Sequence, residues 1–85
     1  MGLLVATPGA LHAARVAGGW LQDYLARHAQ GDWGDVCSED AQANETALRE
    51  GGRLLSAYKL PDGERIWILT EADRSATTVL LPAEY

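Results

Sequence analysis

The spacing of hydrophobic and polar positions changes near residue 53. Before that point, apolar residues recur every three or four positions, which is typical of amphipathic helices. After it, short runs rich in Leu, Ile, Val and Thr alternate with turn-forming residues, which is typical of strands. The sequence therefore predicts an α+β fold with two or three N-terminal helices followed by a three-stranded antiparallel β-meander.

Two helices are predicted in the first third of the chain. The apolar residues 3–6 predict either a short strand or an arm packed across the domain. Thr7-Pro8 offers a capping hydroxyl and a proline suited to a first helical turn, and Gly18-Gly19 would end that helix. A second helix is predicted from Trp20 to about Ala29. Its expected inward residues are Leu21, Tyr24, Leu25 and His28, with Asp23 and Arg27 paired on another side.

A third helix is predicted to end at Glu50, before a pair of glycines, with Ser38 or Asp40 as its cap. Its buried side looks thin, since Ala41, Ala47 and Leu48 are the main apolar residues. In the first helix, the residues expected to share a face are Leu11, Ala14 and Ala17.

The meander is predicted to fill residues 53–85. Its strands are 54–60, 65–70 and 76–81, with turns at 61–63 and 72–75. Both faces of this sheet carry apolar residues. We therefore expect the helices to cover one face and something else to cover part of the other.

Size and composition restrict the class of protein. The 85 residues form a single domain, 1–85, with a helical part over 1–52. The single cysteine, Cys37, excludes an internal disulfide and fits a reducing cytoplasm. The apolar start is too short for a signal peptide or a membrane span, so we expect a cytoplasmic protein without membrane contact. No motif indicates a cofactor, and none is expected.

The net charge of the chain is concentrated between residues 32 and 50, named here the acidic segment. Its six acidic residues and one arginine give −5, which equals the charge of the whole chain. The acidic residues are Asp32, Asp35, Glu39, Asp40, Glu45 and Glu50. Such a surface attracts cations or a basic protein face and argues against direct binding of nucleic acid. We expect a basic partner, which includes the DNA-binding surface of a nucleoprotein complex.

Three features of the acidic segment each allow a functional and a structural interpretation. Trp33, between glycines and aspartates, is either an exposed recognition aromatic or a core residue flanked by capping aspartates. The carboxylates lack the spacing of a calcium loop, which favours a solvated face over a metal site. The acidic residues of the third helix either imitate a row of DNA phosphates or simply keep the domain soluble.

Two other groups suggest chemistry less strongly. His28 lies near a helix C-terminus, where a cation is favoured, and its spacing from His12 and Cys37 indicates no metal or nucleophile site. The second hairpin turn contains Glu71, Asp73, Arg74 and Ser75. In a ribonuclease, this turn would supply an acid and a base, Arg65 or Arg74 would bind the phosphate, and Tyr85 would lie nearby. The alternative is a turn held by its own hydrogen bonds and a local Asp–Arg pair.

Two stretches carry a resemblance to known proteins. The first is Arg27-His-Ala-Gln-Gly-Asp-Trp-Gly-Asp35, and the second runs from Thr70-Glu-Ala-Asp-Arg through Leu81-Pro-Ala-Glu-Tyr85. They resemble small proteins of bacterial plasmids and integrative elements, which are loosely linked to restriction–modification systems. The resemblance spans most of the chain and implies a role in mobile-element biology, where small acidic proteins often blunt host defences. The order of helices and strands is also similar to RelE- and barnase-like ribonucleases.

Three functions follow as hypotheses. The first is a non-enzymatic binding protein of a mobile element that inhibits a restriction or CRISPR-type complex by DNA mimicry, with Trp33 and the six carboxylates as contacts. The second is a ribonuclease toxin-type domain, active or inactive. The third is an accessory subunit that self-associates through the uncovered sheet face. The sequence does not fix the oligomeric state.

Overall fold

A computed structural model describes residues 3–18 and 20–85. The strands are β1 (Leu3–Ala6), β2 (Leu54–Lys59), β3 (Arg65–Thr70) and β4 (Ala76–Leu80). The helices are α1 (Pro8–Ala17), α2 (Leu21–Ala29) and α3 (Ser38–Glu50), and a 3-10 turn covers Pro82–Glu84. The α+β class, three helices and the three C-terminal strands are as predicted. Within the described residues, no helix is long and apolar enough to cross a membrane.

The sheet differs from the predicted three-stranded meander. It has four strands in the order β1-β4-β3-β2, and β1 runs parallel to β4 with Leu3 opposite Ala76. Residues 3–6 therefore form a strand rather than an arm. The predicted antiparallel pairing of β2 with β3 and of β3 with β4 is present, but the prediction that these three strands make up the whole sheet was wrong, because β1 pairs parallel with β4. Local residue spacing carries no information on a pairing between such distant segments.

One face of the sheet is covered by α1 and α2. The main core joins Tyr58, Ile66, Ile68 and Val79 of the sheet to Ala10 of α1, and all five are at most 1% exposed. The predicted inward side of α2 is confirmed, since Leu21, Tyr24 and Leu25 pack against this core. Of the predicted face of α1, Ala14 is buried and Ala17 packs against the core, whereas Leu11 is 43% exposed and Ala10 is buried in its place. Small alanines let α1 approach the sheet closely.

The predicted start and end of α1 and the predicted end of α3 at Glu50 are confirmed, whereas the predicted cap of α3 is wrong. The Thr7 hydroxyl accepts a hydrogen bond from the Ala10 amide at 3.1 Å, as expected of a cap. Gly18 ends α1 in the left-handed region, and its predicted companion Gly19 lies outside the described residues. At α3 the cap residue is Cys37, without a side-chain hydrogen bond, so neither Ser38 nor Asp40 caps the helix.

The buried side of α3 is also different from the one predicted. Asn44 and Ala47 are buried and Ala41 is half-buried, whereas Leu48 is 52% exposed. Asn44 escaped prediction because it is polar. It nevertheless lies three residues after Ala41 and three residues before Ala47, which places it on the same inward side of the helix as these two alanines.

Candidate functional site

The loop that forms the first part of the acidic segment is held against the outer edge of β2. The Asp35 amide donates to the Ala57 carbonyl at 2.7 Å, and the Ala57 amide donates to the Trp33 carbonyl at 3.1 Å. Gly34 lies between these bonds with φ of 72°, and a Cβ there would stand 2.1 Å from the Ala57 oxygen. Only glycine fits this close approach. The loop therefore has a fixed position beside the sheet.

Trp33 lies inside the protein. Its side chain is 7% exposed and packs with Ala47 and Leu54 in a second, smaller core. Its indole N–H donates to Glu45 Oε2 at 2.9 Å, and its ring lies edge-on to His28. The interpretation of Trp33 as an exposed recognition aromatic was therefore wrong. The residue joins the loop, α2 and α3 from within, and it commits Glu45 to an internal hydrogen bond.

Asp32 is compensated by an arginine from outside the acidic segment. Arg27 Nε donates to Asp32 Oδ2 at 2.7 Å, and the Gly34 amide donates to Asp32 Oδ1 at 3.2 Å. These bonds, that from Arg27 first, lower the pKa of Asp32. The predicted pair between Asp23 and Arg27 is absent, because the one ion pair within residues 3–18 and 20–85 joins Arg27 to Asp32. Asp32 thus adds little to the outward charge.

Four carboxylates of the acidic segment are exposed and have neither an ion-pair partner nor a side-chain hydrogen bond within the described residues, whereas Glu45 is exposed and unpaired but accepts from Trp33. The four are Asp35, Glu39, Asp40 and Glu50. Successive helix residues turn by about 100°, so Glu39 and Glu50 lie nearly on one line, about 16 Å apart. By the same geometry, Asp40 and Glu45 project to opposite sides of that line. The predicted single row of four is therefore a pair of aligned glutamates with flanking acids.

Asp35 and Asp40 also line a cleft of about 340 Å³ with an arginine from the sheet. Arg65 and Trp67 form its other side, on the sheet face opposite α1 and α2. Two acidic residues and an arginine thus line one open cleft without forming an ion pair. Sequence spacing gave no sign of this grouping, because the residues come from a loop, a helix start and a strand.

His28 is part of a buried network of hydroxyls. Its Nδ1 lies 2.5 Å from Ser56 Oγ and its Nε2 lies 2.8 Å from Thr70 Oγ1. Thr70 in turn bonds Thr77 at 2.9 Å. Burial lowers the pKa of His28 to about 4, so the imidazole is neutral at pH 7. The expectation of a cation that stabilises the end of α2 was wrong, whereas the structural role of His28 is confirmed.

His12 and Cys37 lie on other elements, exposed on α1 and at the start of α3. Across the described ranges, no three His, Cys, Asp or Glu side chains are placed to hold a metal ion. Neither residue joins His28 in a site.

Arg74 serves the structure of the second hairpin turn. Its guanidinium donates to the carbonyls of Gly52, Ala47, Glu71 and Ala72, so it ties the turn to the end of α3. Asp73 does not pair with it and instead accepts from the Ser75 amide at 2.9 Å. A guanidinium engaged by four carbonyls is not available to a phosphate. Within the predicted ribonuclease set, only Arg65 remains an exposed cation.

Tyr85 packs at the sheet face that α1 and α2 leave uncovered. Its ring meets Trp67 edge-on at 5.4 Å between centroids, and the Arg53 guanidinium lies 5.7 Å from its centre. Tyr85 is still 64% exposed, so it covers this face only in part.

The chain matches no family model, and neither the curated proteins nor the solved structures contain a significant match to it.

Proposed function

We propose that this protein is a small non-enzymatic binding domain that docks onto a basic protein surface through its acidic segment. The contacts would be Asp35, Glu39, Asp40 and Glu50. The observation that carries the proposal is that each of these carboxylates is exposed and none is ion-paired within the described residues, although Arg65 lines the same cleft as Asp35 and Asp40. Trp33 would be a buried positioning residue that holds the loop and α3 in place.

The spacing of the charges limits what the surface imitates. Glu39 and Glu50 span about 16 Å, or roughly five nucleotide steps of a single DNA strand at about 3.4 Å each. Three of the four contacts, Glu39, Asp40 and Glu50, lie over this length, which is fewer than the phosphates they would replace. The acidic segment would thus substitute for a short stretch of one strand rather than for a duplex. A partner with a compact basic groove suits it best.

The resemblance to plasmid and integrative-element proteins suggests where such a partner occurs. We propose that the protein acts in the bacterial cytoplasm for a mobile element, and that it occupies the DNA-binding surface of a restriction or CRISPR-type complex. Complementary charge of this kind speeds association and gives specificity, and both effects weaken as salt rises.

Competition with DNA tests this proposal. Purified restriction and CRISPR-type complexes are mixed with labelled duplex DNA and increasing amounts of the protein, at low and high salt. The decisive variant combines Asp35→Asn, Glu39→Gln, Asp40→Asn and Glu50→Gln. The matched control removes the same charge elsewhere by combining Asp23→Asn, Asp62→Asn, Glu64→Gln and Glu71→Gln.

The wild type and the control should displace DNA from at least one complex, and raised salt should weaken the displacement. The decisive variant should need at least tenfold more protein, about 1.4 kcal/mol of binding free energy. Absence of displacement at low salt, or an equal loss in both variants, would contradict the proposal.

The cleft between Asp40 and Arg65 favours a second candidate, a ribonuclease-like activity. A carboxylate can act as a general base and an arginine can stabilise a phosphate in the transition state. Incubation with RNA tests this directly. Cleavage that is lost in Arg65→Ala and in Asp40→Asn, but kept in the exposed control Arg15→Ala, would replace the binding proposal with an enzymatic one.

A further inference from the structure

The two edges of the sheet are treated differently by the rest of the chain. At the β2 edge, the Asn44 side chain bonds both backbone groups of Leu55, at 2.8 and 3.0 Å. Two residues further on, the backbone of Trp33 and Asp35 bonds both groups of Ala57. No backbone group of these two residues is left for another strand. An edge protected in this way resists pairing with another molecule.

The β1 edge has no such cover among the described residues. The amides of Leu3 and Thr7 donate to the carbonyls of Ser75 and Val79 on the β4 side. Because backbone groups alternate in direction along a strand, the amides and carbonyls of Leu4 and Ala6 point away from β4. Within the described chain, no strand lies beyond them.

The side chains of β1 are also unusual for an open edge. Leu3, Leu4 and Val5 are 66%, 55% and 39% exposed, and they alternate between the two faces of the sheet. The strand contains no charge and no proline, which are the usual means of blocking edge-to-edge association. It offers an unprotected backbone ladder flanked by apolar side chains on both faces.

We propose that β1 is a homodimer interface, at which the β1 strands of two copies pair antiparallel about a two-fold axis. The covered β2 edge leaves the β1 strand of a second copy as the partner for β1. It blocks β1-to-β2 pairing, which would propagate into a fibre, and leaves β1-to-β1 pairing, which closes at two copies. The product is a continuous eight-stranded sheet.

The distribution of charge permits this association in spite of the net charge of −5 on each copy. The acidic segment lies at the β2 edge, three strand spacings of about 4.8 Å from β1. That distance, about 14 Å, exceeds the screening length of roughly 8–10 Å at ordinary ionic strength. The proposed interface and the acidic segment therefore act independently.

Mass measurement over concentration tests the proposal. Light scattering from about 5 µM to about 500 µM should show the 9.2 kDa chain approaching twice its mass. Leu4→Pro removes only an outward amide, and Leu4→Lys adds a charge at the interface. Each should raise the concentration for half-dimerisation at least tenfold. Leu48→Lys, at an equally exposed leucine on α3, should leave it unchanged.

Amide exchange locates the interface without any variant. The Leu4 and Ala6 amides of the wild type should exchange at least tenfold more slowly at high than at low concentration. A monomer at every concentration, or a dimer without this protection, would overturn the proposal and leave the β1 edge to a strand of a different protein. Raised salt should not weaken the dimer, whereas it weakens docking through the acidic segment, so the two proposals fail separately.

Discussion

Asn44 completes the hydrogen bonding of Leu55 in the way a neighbouring strand would. Its side-chain Nδ2 donates to the Leu55 carbonyl at 2.8 Å, and its Oδ1 accepts from the Leu55 amide at 3.0 Å. Asn44 is 4% exposed, so these bonds are shielded from water. One amide thus fixes α3, and with it the acidic segment, to the edge of the sheet.

Asn44→Ala should therefore destabilise the protein by about 2–3 kcal/mol, because it leaves a sheltered backbone amide and carbonyl without partners. Urea denaturation followed by circular dichroism measures the change. Gln42→Ala, at an exposed position of the same helix, should change stability by less than about 0.5 kcal/mol. Equal effects of the two substitutions would show that the pairing with Leu55 contributes nothing.

Gly34→Ala should cost at least about 3 kcal/mol or prevent folding, because its Cβ would overlap the Ala57 oxygen. Gly18→Ala is the control that measures the cost of a positive φ without a steric overlap. Gly18 has a similar φ of 76° but nothing within 4 Å of its added Cβ. That substitution should cost about 1–2 kcal/mol. Thermal unfolding of both variants measures the difference in their loss of stability. A loss in Gly34→Ala no larger than that in Gly18→Ala would show that the loop lies further from β2.

The neutral state of His28 predicts that stability falls on acidification. Its folded pKa of about 4 lies below its unfolded value of about 6.5, so the unfolded chain binds the proton first. The stability that depends on neutral His28 is complete above pH 6.5 and is lost as the pH falls towards 4. Between pH 7 and pH 5, we expect a loss of about 2 kcal/mol from this group.

Urea denaturation at the two pH values measures this loss, with His28→Gln as the control. That variant should be less stable at pH 7, because Gln cannot reproduce both hydroxyl contacts, but its stability should change much less between pH 7 and pH 5. An unchanged pH dependence in the variant would assign the effect to other groups.

Arg74→Ala should destabilise the protein by about 2–3 kcal/mol, because it leaves several carbonyls at the end of α3 without a donor. Arg74→Lys should not restore stability, because an ammonium lacks the planar set of donors. Arg65→Ala, at an exposed cation, should change stability by less than about 0.5 kcal/mol. Chemical denaturation of the three variants tests whether Arg74 stabilises the fold. A loss of stability in Arg65→Ala alone would contradict this role of Arg74.

The helices and the C-terminal strands could be predicted because their signals are local. The hydroxyl of Thr7, the apolar side of α2 and the turns between the strands each depend on residues close in sequence. The four-stranded mixed sheet could not be predicted in the same way. Pairing of Leu3 with Ala76 joins two ends of the domain, and a four-residue apolar run is compatible with several arrangements.

The candidate site was predicted in its charge but not in its geometry. The acidic residues are as exposed as their sequence suggests, yet Asp32 pairs with Arg27 across the end of α2, and the Trp33 partner of Glu45 comes from tertiary packing. Trp33 illustrates the same limit. Its neighbouring glycines and aspartates suit an exposed loop as well as a buried one, and only the groove between α2, α3 and β2 decides between them.

The position of β4 between β1 and β3 has a consequence for biosynthesis. The strand synthesised fourth is central, so β1 and β3 lack a shared neighbour until residues 76–80 have left the ribosome. Nascent chains that stop before that point would expose the inner edges of both strands. Acquisition of structure should therefore be abrupt and late, and premature termination near residue 75 should yield chains that proteases remove quickly.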